Sequence, residues 1–534
     1  MIRREPEYYV TGYNEPDASR APFYLRALVF DGEQGDFNAG LIEEFNLMMG
    51  RQEKMRARGL KNEYAAGKAP SKIVIINASH DNLPASYETA RVFREYLKTG
   101  GHAASVKVVN TREGLLAELE DDAAGVLLMS QCVDKNVYNT RLAEELEKKG
   151  VVIVPGKSTA PGGIFSDKDS TYKLLSDNGK KWDEVARYRK IEVQGRTVTQ
   201  VVDGIFSAVE ELREETRTGT FFVKPNEGGG GLGGFRITKR DEGYLIPDLS
   251  KVSGDVAEIH PTFIDFDTDD HAKIRELLWI YRLFASDEKM TANYLKVRLP
   301  VEDKSETEAV NVVKEYLKGC EHKRTRRLES MSLSRETAKQ RLVKAIRAFE
   351  DKFNRRYIPL VNEHIDFGLW GLRAHLRLSR GGPVLEAMYH RVFQLGFTEE
   401  GVGYLGADNI SNKQTGDLEI IRLGPVNPVM VESIGGKTAL FDTLIKGVNA
   451  LLSLDTLLPV EEKGRVPLRL QLDLAAVSRR IGEGNADTAR GLCLASRWGV
   501  FAANTAEWLE DSLAYYAWKK THEEAAGNKN NSAG

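Results

Sequence analysis

The sequence predicts an α/β protein of more than one domain, and three observations carry that reading. The chain has 534 residues, too many for one ordinary hydrophobic core. Between residues 71 and 156, short apolar runs alternate with amphipathic helical runs. Further on, a strand-like run, TFFVKP (220–225), leads into a stretch holding six glycines between Gly228 and Gly234.

Composition narrows the class. Hydrophobic residues make up 41% and charged residues 29%, an ordinary globular balance. A net charge of -3 gives no electrostatic footprint for general nucleic-acid binding. Cys132, Cys320 and Cys493 are far apart and form no CxxC pair, which fits a reducing, cytoplasmic setting. No run approaches the ~20 apolar residues of a membrane span, and the first residues, MIRREPEYYVTGYNEPD, lack a secretory apolar core. The expected partners are small molecules, with no nucleic acid and no membrane.

Residues 1–70 read as an N-terminal extension. KIVIINAS (72–79) is a continuous apolar run ended by turn formers, as in a buried parallel strand. SYETARVFREYLKTGG (86–101) follows as a helix with Ser86 as its N-cap and glycines as its stop. The cycle repeats in SVKVVNT, REGLLAELED, AGVLLMSQ, NTRLAEELEKKG and VVIVPG. Strand and helix alternating in this way predict a Rossmann-like parallel sheet over 71–156. No G-x-G-x-x-G follows its first strand, so a dinucleotide is not implied.

Residues 157–435 read as a second unit. It begins with a Gly/Pro loop and a helix in FSDKDSTYKLL, then passes through strands and one helix to residue 240. Residues 241–330 read as irregular, acidic at DFDTDD (265–270) and basic at KRTRR (323–327). A long amphipathic helix covers 332–356, and strands return in FGLWGLRAHLRLS and VLEAMYH. From 436 to 524 the chain reads as mostly helical apart from the alternating PLRLQLDL. The aromatic stretch 498–520 reads as core or as the face of a homodimer, and 525–534 as a disordered tail.

Three readings compete for the glycines: a loop over phosphates, a dinucleotide turn, and a loose surface hairpin. Glycine lets successive backbone N–H groups approach phosphate oxygens, because no side chain holds the backbone off. Alternation sets Thr220, Phe222 and Lys224 on one strand face and Phe221 with Val223 on the other. Pro225 ends ladder donation, and the chain returns as a strand at GFRIT. No GK[ST] follows, and no helix follows, so neither a P-loop nor a dinucleotide turn fits.

Lys224 has a companion in Lys168, at the start of the FSDKDSTYKLL helix. Two lysines on separate elements, one preceding a glycine hairpin and both following an α/β domain, resemble the ATP-grasp superfamily of carboxylate–amine ligases. The resemblance covers residues 71–440 and rests on VVIVPGKST…FSDKDSTYKLL and FFVKPNEGGGGLGGF. It implies a Rossmann-like pre-ATP-grasp domain, then an ATP-grasp fold of two α+β subdomains. It also implies that Lys168 and Lys224 contact ATP phosphates, that Gly228, Gly229, Gly230 and Gly231 form a lid, and that the backbone around Glu258 and His260 in VAEIHPTFI faces adenine. Such ligases hold Mg²⁺ with an acid on one strand and Glu-x-Asn on the next. Here Glu386 is present, Met388 stands where the asparagine is expected, and the first acid's position falls near His375. Arg373, two residues earlier, matches the cation that stabilises the reacting carboxylate.

An imidazole or a thioether is a poor Mg²⁺ ligand. Either Glu386 works with an acid from elsewhere (Asp366, Glu363 or the DFDTDD run), or the strand register differs, or nucleotide is bound without turnover. The implied activity is ATP-dependent amide formation between a small carboxylate and an amine. The alternatives are an ATP-binding regulatory protein and a phosphotransferase acting on a hydroxyl.

Overall fold

The computed structural model describes residues 2–3, 29–30, 33–49, 69–77, 83–130, 134–157, 160, 167–177, 187–216, 219–226, 233–241, 243–246, 249–253, 262–264, 268–286, 291, 295–363, 371–379, 382–392, 395–404, 422–424, 426–433, 435–454, 468–480, 488–498 and 505–531.

The alternating N-terminal segment forms a four-stranded parallel sheet in the order Ser105–Val109, Lys72–Ile76, Val126–Ser130, Val152–Val154. Its strands Val126–Ser130 and Val152–Val154 are buried on both faces because both faces are covered, while the edge strand Ser105–Val109 exposes Ser105 and Lys107. Ile73, Ile75, Leu127 and Met129 pack with Phe93 and Leu97 of the helix Leu83–Thr99. Val74, Ile76 and Leu128 pack with Leu115, Leu142 and Leu146 of the helices Arg112–Ala117 and Thr140–Lys148. Ser86 is not the expected N-cap: the helix begins at Leu83, and the buried Ser86 hydroxyl accepts from Asn77 Nδ2 at 2.7 Å.

The glycine-rich segment lies in a five-stranded antiparallel sheet ordered Gly243–Leu245, Phe235–Arg240, Thr220–Pro225, Pro359–Glu363, Tyr188–Lys190. One face is packed by the helices Val198–Thr216 and Arg335–Phe353, with Phe206, Val209, Leu342, Ile346 and Phe349 against Phe221, Val223, Ile237 and Val361. The opposite face carries Lys224 and its neighbours.

A second five-stranded antiparallel sheet runs Arg422–Gly424, Gly382–Val392, Gly371–Ser379, Leu468–Arg480, Thr488–Trp498. The last two strands add a hairpin to a C-terminal region expected to be helical apart from PLRLQLDL, beside the helices Gly436–Leu454 and Thr505–Asn531. PLRLQLDL is the start of a 13-residue strand that runs on to Arg480 after its alternation has ended at Leu474, and ARGLCLASRW answers it as the return strand. A three-stranded sheet of Thr262–Phe263, Gly401–Tyr404 and Leu395–Thr398 lies apart from both.

Residues 241–330 are more regular than expected. The helix His271–Ala285 is capped by Asp270, whose side chain accepts from the Lys273 N–H, and it buries Ile274, Leu277, Leu278, Tyr281 and Phe284. The helix Glu306–Met331 opens on a capping box between Ser305 and Glu308. Both start signals were in the sequence, hidden among charges that read as loop. The C-terminal helix Thr505–Asn531 also extends into the segment expected to be a disordered tail. Its Trp508, Leu509, Leu513 and Tyr516 join the core, and Tyr516 Oη and Lys520 Nζ donate to the carbonyls of Ala124 and Gly150 at 3.0 and 2.6 Å. Of the two readings of the aromatic stretch, core is the one seen at these residues.

Candidate functional site

The strand Thr220–Pro225 alternates as its sequence predicts, with Phe221, Val223 and Pro225 buried and Thr220, Phe222 and Lys224 half-buried. It pairs antiparallel with Phe235–Arg240, so the hairpin forms. Gly228 to Gly231, the expected lid, lie outside the described residues. The hairpin's returning base is fixed at Gly233, which has φ +75°. The buried Tyr357 hydroxyl donates to the Gly233 carbonyl at 2.6 Å. A Cβ on Gly233 would stand 2.8 Å from the Phe349 ring. Burial alone pushes the Tyr357 phenol far above its ordinary range, so it stays a donor.

Lys168 and Lys224, far apart in sequence, are brought together by a reciprocal clasp. Lys168 Nζ donates to the carbonyls of Pro225 and Asn226, each at 2.9 Å, immediately after Lys224. Lys224 Nζ donates to Tyr172 Oη at 2.8 Å and lies 5.1 Å from that ring's centre. Tyr172 is four residues beyond Lys168, hence on the same side of the helix Lys168–Asp177. The acceptors named here are neutral groups, two carbonyls for Lys168 and a phenol for Lys224.

Asn226 closes the clasp. It is 1% exposed; its Oδ1 accepts from the Asp169 N–H at 2.9 Å and its Nδ2 donates to Asp167 Oδ2 at 2.6 Å. Its own N–H bonds the Ile358 carbonyl at 2.8 Å, tying helix and hairpin to the adjoining strand. Behind it, the buried Asp169 accepts from Lys173 Nζ and Lys190 Nζ, both at 3.0 Å, and from Tyr188 Oη at 3.1 Å. Burial acts to raise the Asp169 pKa, but these three hydrogen bonds together outweigh it and hold the carboxyl below its usual range. The hydrogen bond that Lys190 donates to Asp169 holds its ammonium above its usual range.

Register adds residues the sequence reading missed. Leu360 stands between Lys224 and Lys190 across three strands, and Asn362 between Phe222 and Tyr188. Alternation therefore puts Asn362 on the Lys224 face. It is 4% exposed, and its Oδ1 has no hydrogen-bond partner among the described residues. A buried acceptor left unmade is costly, which marks a place where a donor is wanted. The strand Pro359–Glu363 occupies the position beside Lys224's strand. Glu258 and His260, expected beside the nucleotide base, lie outside the described residues; Thr262–Phe263 just after them pairs with Gly401–Tyr404 in another sheet.

Arg373 and Glu386 are on the second five-stranded sheet. Arg373 pairs with Tyr389 and His375 with Ala387, then the register slips, so that Leu376 meets Leu385 and Glu386 is the extra residue of a bulge. Arg373, His375, Ala387 and Tyr389 share one face, and the half-buried Glu386 stands at the slip beside Ala387. His375 Nε2 is 2.9 Å from Tyr389 Oη, and the two rings stack at 5.5 Å. Arg373 is 5% exposed. The same slip turns Met388 to the core face opposite Ala374, where it is 1% exposed. Met388 is thus a packing residue, and its lack of oxygen says nothing about metal on the other face. On the far side, the backbone register sets Asp473 directly across from Arg373.

No group of three or more His, Cys, Asp or Glu suited to a metal occurs among the described residues. Mg²⁺ bound with phosphates takes one or two carboxylates and fills its octahedron with phosphate oxygens and water. Glu386 fits as one such ligand. Of the alternative acids, Asp366 lies outside the described residues, Glu363 accepts from the Arg187 N–H at 3.2 Å, and Asp270 serves as a helix cap.

No protein-family model matches the chain, and no curated protein matches it. Solved structures similar to it include a D-alanine–D-alanine ligase from Bacillus anthracis, at 11% identity and TM-score 0.41, covering 85% of this chain and 99% of that one. D-alanyl-alanine synthetase A from Vibrio cholerae gives 9% identity and TM-score 0.42, covering 84% and 99%. Carboxyaminoimidazole ribonucleotide synthase from Aspergillus clavatus, solved with ATP, gives 9% and 0.36, covering 80% and 70%. These proteins are of the kind that the sequence resemblance names. With TM-scores below 0.5, they decide neither substrate nor reaction for this chain.

Proposed function

We propose that this chain is an ATP-dependent carboxylate–amine ligase of the ATP-grasp type. The observation that carries the reading is the clasp: Lys168 is tied to the two carbonyls that follow Lys224, and Lys224 to Tyr172 of the Lys168 helix, while the Lys224 face of the sheet also holds the buried Asn362, whose Oδ1 has no partner among the described residues. Paired cations suit a polyphosphate, and an acceptor two residues along the next strand suits the amino or hydroxyl groups of a nucleoside.

In this reading Lys168 and Lys224 bind and orient the phosphates, and charge on the moving phosphoryl group spreads toward them. A carboxylate oxygen of the acid substrate attacks the γ-phosphorus and ADP leaves. An amine nitrogen then attacks the acyl carbon, loses its proton, and inorganic phosphate departs with the C–O bond electrons. Arg373, buried on the strand paired with that of Glu386, holds the carboxylate and later the tetrahedral oxyanion. The glycine-rich segment 228–231 is assigned, from the family resemblance alone, to keeping water from the acylphosphate. Glu386 would hold Mg²⁺, which when bound would neutralise phosphate charge. Among the described residues no helix is long and apolar enough to cross a membrane, and the substrates proposed are small molecules.

The test is calorimetry with Mg²⁺·ATP, followed by ADP release across a pool of amino acids and small carboxylates. ADP release that requires both a carboxylate and an amine is expected. Lys224→Ala should weaken ATP binding by at least tenfold; wild-type affinity in that variant would remove the lysine from the site. A stable phosphorylated product would instead make the chain a phosphotransferase.

A further inference from the structure

We propose that Asn46, on the N-terminal helix Glu33–Met48, is a positioning residue that fixes the bulge presenting Glu386; this rests on the ligase reading for the role of Glu386. In the register with the strand Gly371–Ser379, Glu386 is the extra residue between the pairs His375–Ala387 and Leu376–Leu385. On the other side of its strand, Arg422–Gly424 reaches only His390–Val392. The backbone just before Glu386 therefore has no described strand on that edge to hold it.

Asn46 takes that place. Its Nδ2 donates to the Leu385 carbonyl at 3.0 Å and its Oδ1 accepts from the Leu385 N–H at 2.9 Å. One side-chain amide thus reproduces both bonds of a ladder partner, for the single residue that precedes the bulge. Asn46 is 3% exposed, and an amide is the neutral side chain able both to donate and to accept there.

The helix itself is firmly seated. Leu41 and Phe45 lie in the core, Phe45 meets Phe441 edge-on at 5.4 Å, and Glu44 pairs with Lys437 at 2.7 Å. Asn38, also 3% exposed, accepts from the Val426 N–H at 3.2 Å. A bulged strand bends and twists unless something else fixes it, and a one-residue slip exchanges its two faces. Phosphoryl transfer is sensitive to displacements of about 1 Å. Through Asn46, the N-terminal extension sets where Glu386 stands.

The experiment compares full-length wild type with Asn46→Ala, Asn46→Asp and Asn38→Ala in steady-state ADP release, using the carboxylate–amine pair found in the pool. Asn46→Ala is expected to lower kcat at least tenfold with KM for ATP within twofold. Asn46→Asp keeps the acceptor and loses the donor, and should fall in the same direction; it carries the test if the alanine variant does not fold. Asn38→Ala removes an equally buried amide from the same helix and should keep kcat. In the ligand-free proteins, amide exchange around Leu385 should quicken for Asn46→Ala and stay slow for Asn38→Ala. Unchanged kcat at position 46, or an equal loss at position 38, overturns the proposal and leaves the ligase reading standing. A wild type that releases no ADP with any pair overturns the ligase reading, and this role with it.

Discussion

Replacing Asn226 with alanine should uncouple the two lysines without removing either. The substitution deletes a 2.6 Å bond to the Asp167 carboxylate and a 2.9 Å bond from the Asp169 N–H. A hydrogen bond to a charged group contributes roughly 1.5–3 kcal/mol and a neutral one roughly 0.5–1.5 kcal/mol. Together these give a loss of about 2–4 kcal/mol in the docking of the helix Lys168–Asp177 onto the hairpin. That helix would then have to be ordered by the ligand, and part of the binding energy would be spent doing so. Mg²⁺·ATP affinity should fall by about 10- to 100-fold, equivalent to roughly 1.4–2.8 kcal/mol. Calorimetry on folded protein reads the affinity, and circular dichroism confirms that the fold is kept. An ATP affinity within twofold of wild type, with a lowered melting temperature, would refute the claim that the clasp presets the lysines.

Two further outcomes follow from neighbouring geometry. Gly233→Ala places a side chain at φ +75° and a Cβ 2.8 Å from the Phe349 ring; left-handed backbone costs ~1–2 kcal/mol and overpacking ~1–3 kcal/mol, so denaturation should show a loss of about 2–5 kcal/mol, and a wild-type midpoint would mean the hairpin base is not held as described. Asp169 is held below its unfolded pKa, so its contribution to stability is present above about pH 4 and is lost as pH falls through the lower folded value; Lys190 is held above its own, so its contribution is complete below about pH 10 and is lost as pH rises through the folded value. Asp169→Asn should therefore melt lower than wild type between those limits, with the gap closing in acid. A gap that stays constant down to pH 2 would show that the carboxylate's charge is not what matters.

Local pattern was enough for much of this molecule. The continuous apolar runs of 72–154 declare strands buried on both faces, and the alternating burial along Thr220–Pro225 follows from its alternating sequence. Lys224 before a proline and a glycine run, and Lys168 at a helix start, were legible because their chemistry needs nothing distant to be noticed. Chain regions rich in charge were harder: DFDTDD hides the Asp270 cap, and the acids after residue 304 hide a capping box, because one residue type serves both loops and helix starts.

What tertiary structure alone decided is who meets whom. Nothing local ties Asn46 to Leu385, or Asn226 to Asp167 and Asp169, because those bonds join segments by chain path and not by periodicity. Nor does a strand's own pattern announce a bulge. The extra residue at Glu386 turns Met388 into the core and undoes a two-residue spacing that the sequence presents as intact. Strand neighbours were equally hidden: the hairpin Leu468–Trp498 joins a sheet whose first strands lie about a hundred residues earlier, setting Asp473 opposite Arg373. Periodicity fixes which face of an element is buried. Long-range pairing fixes what that face is buried against, and at this site it assembles the chemistry.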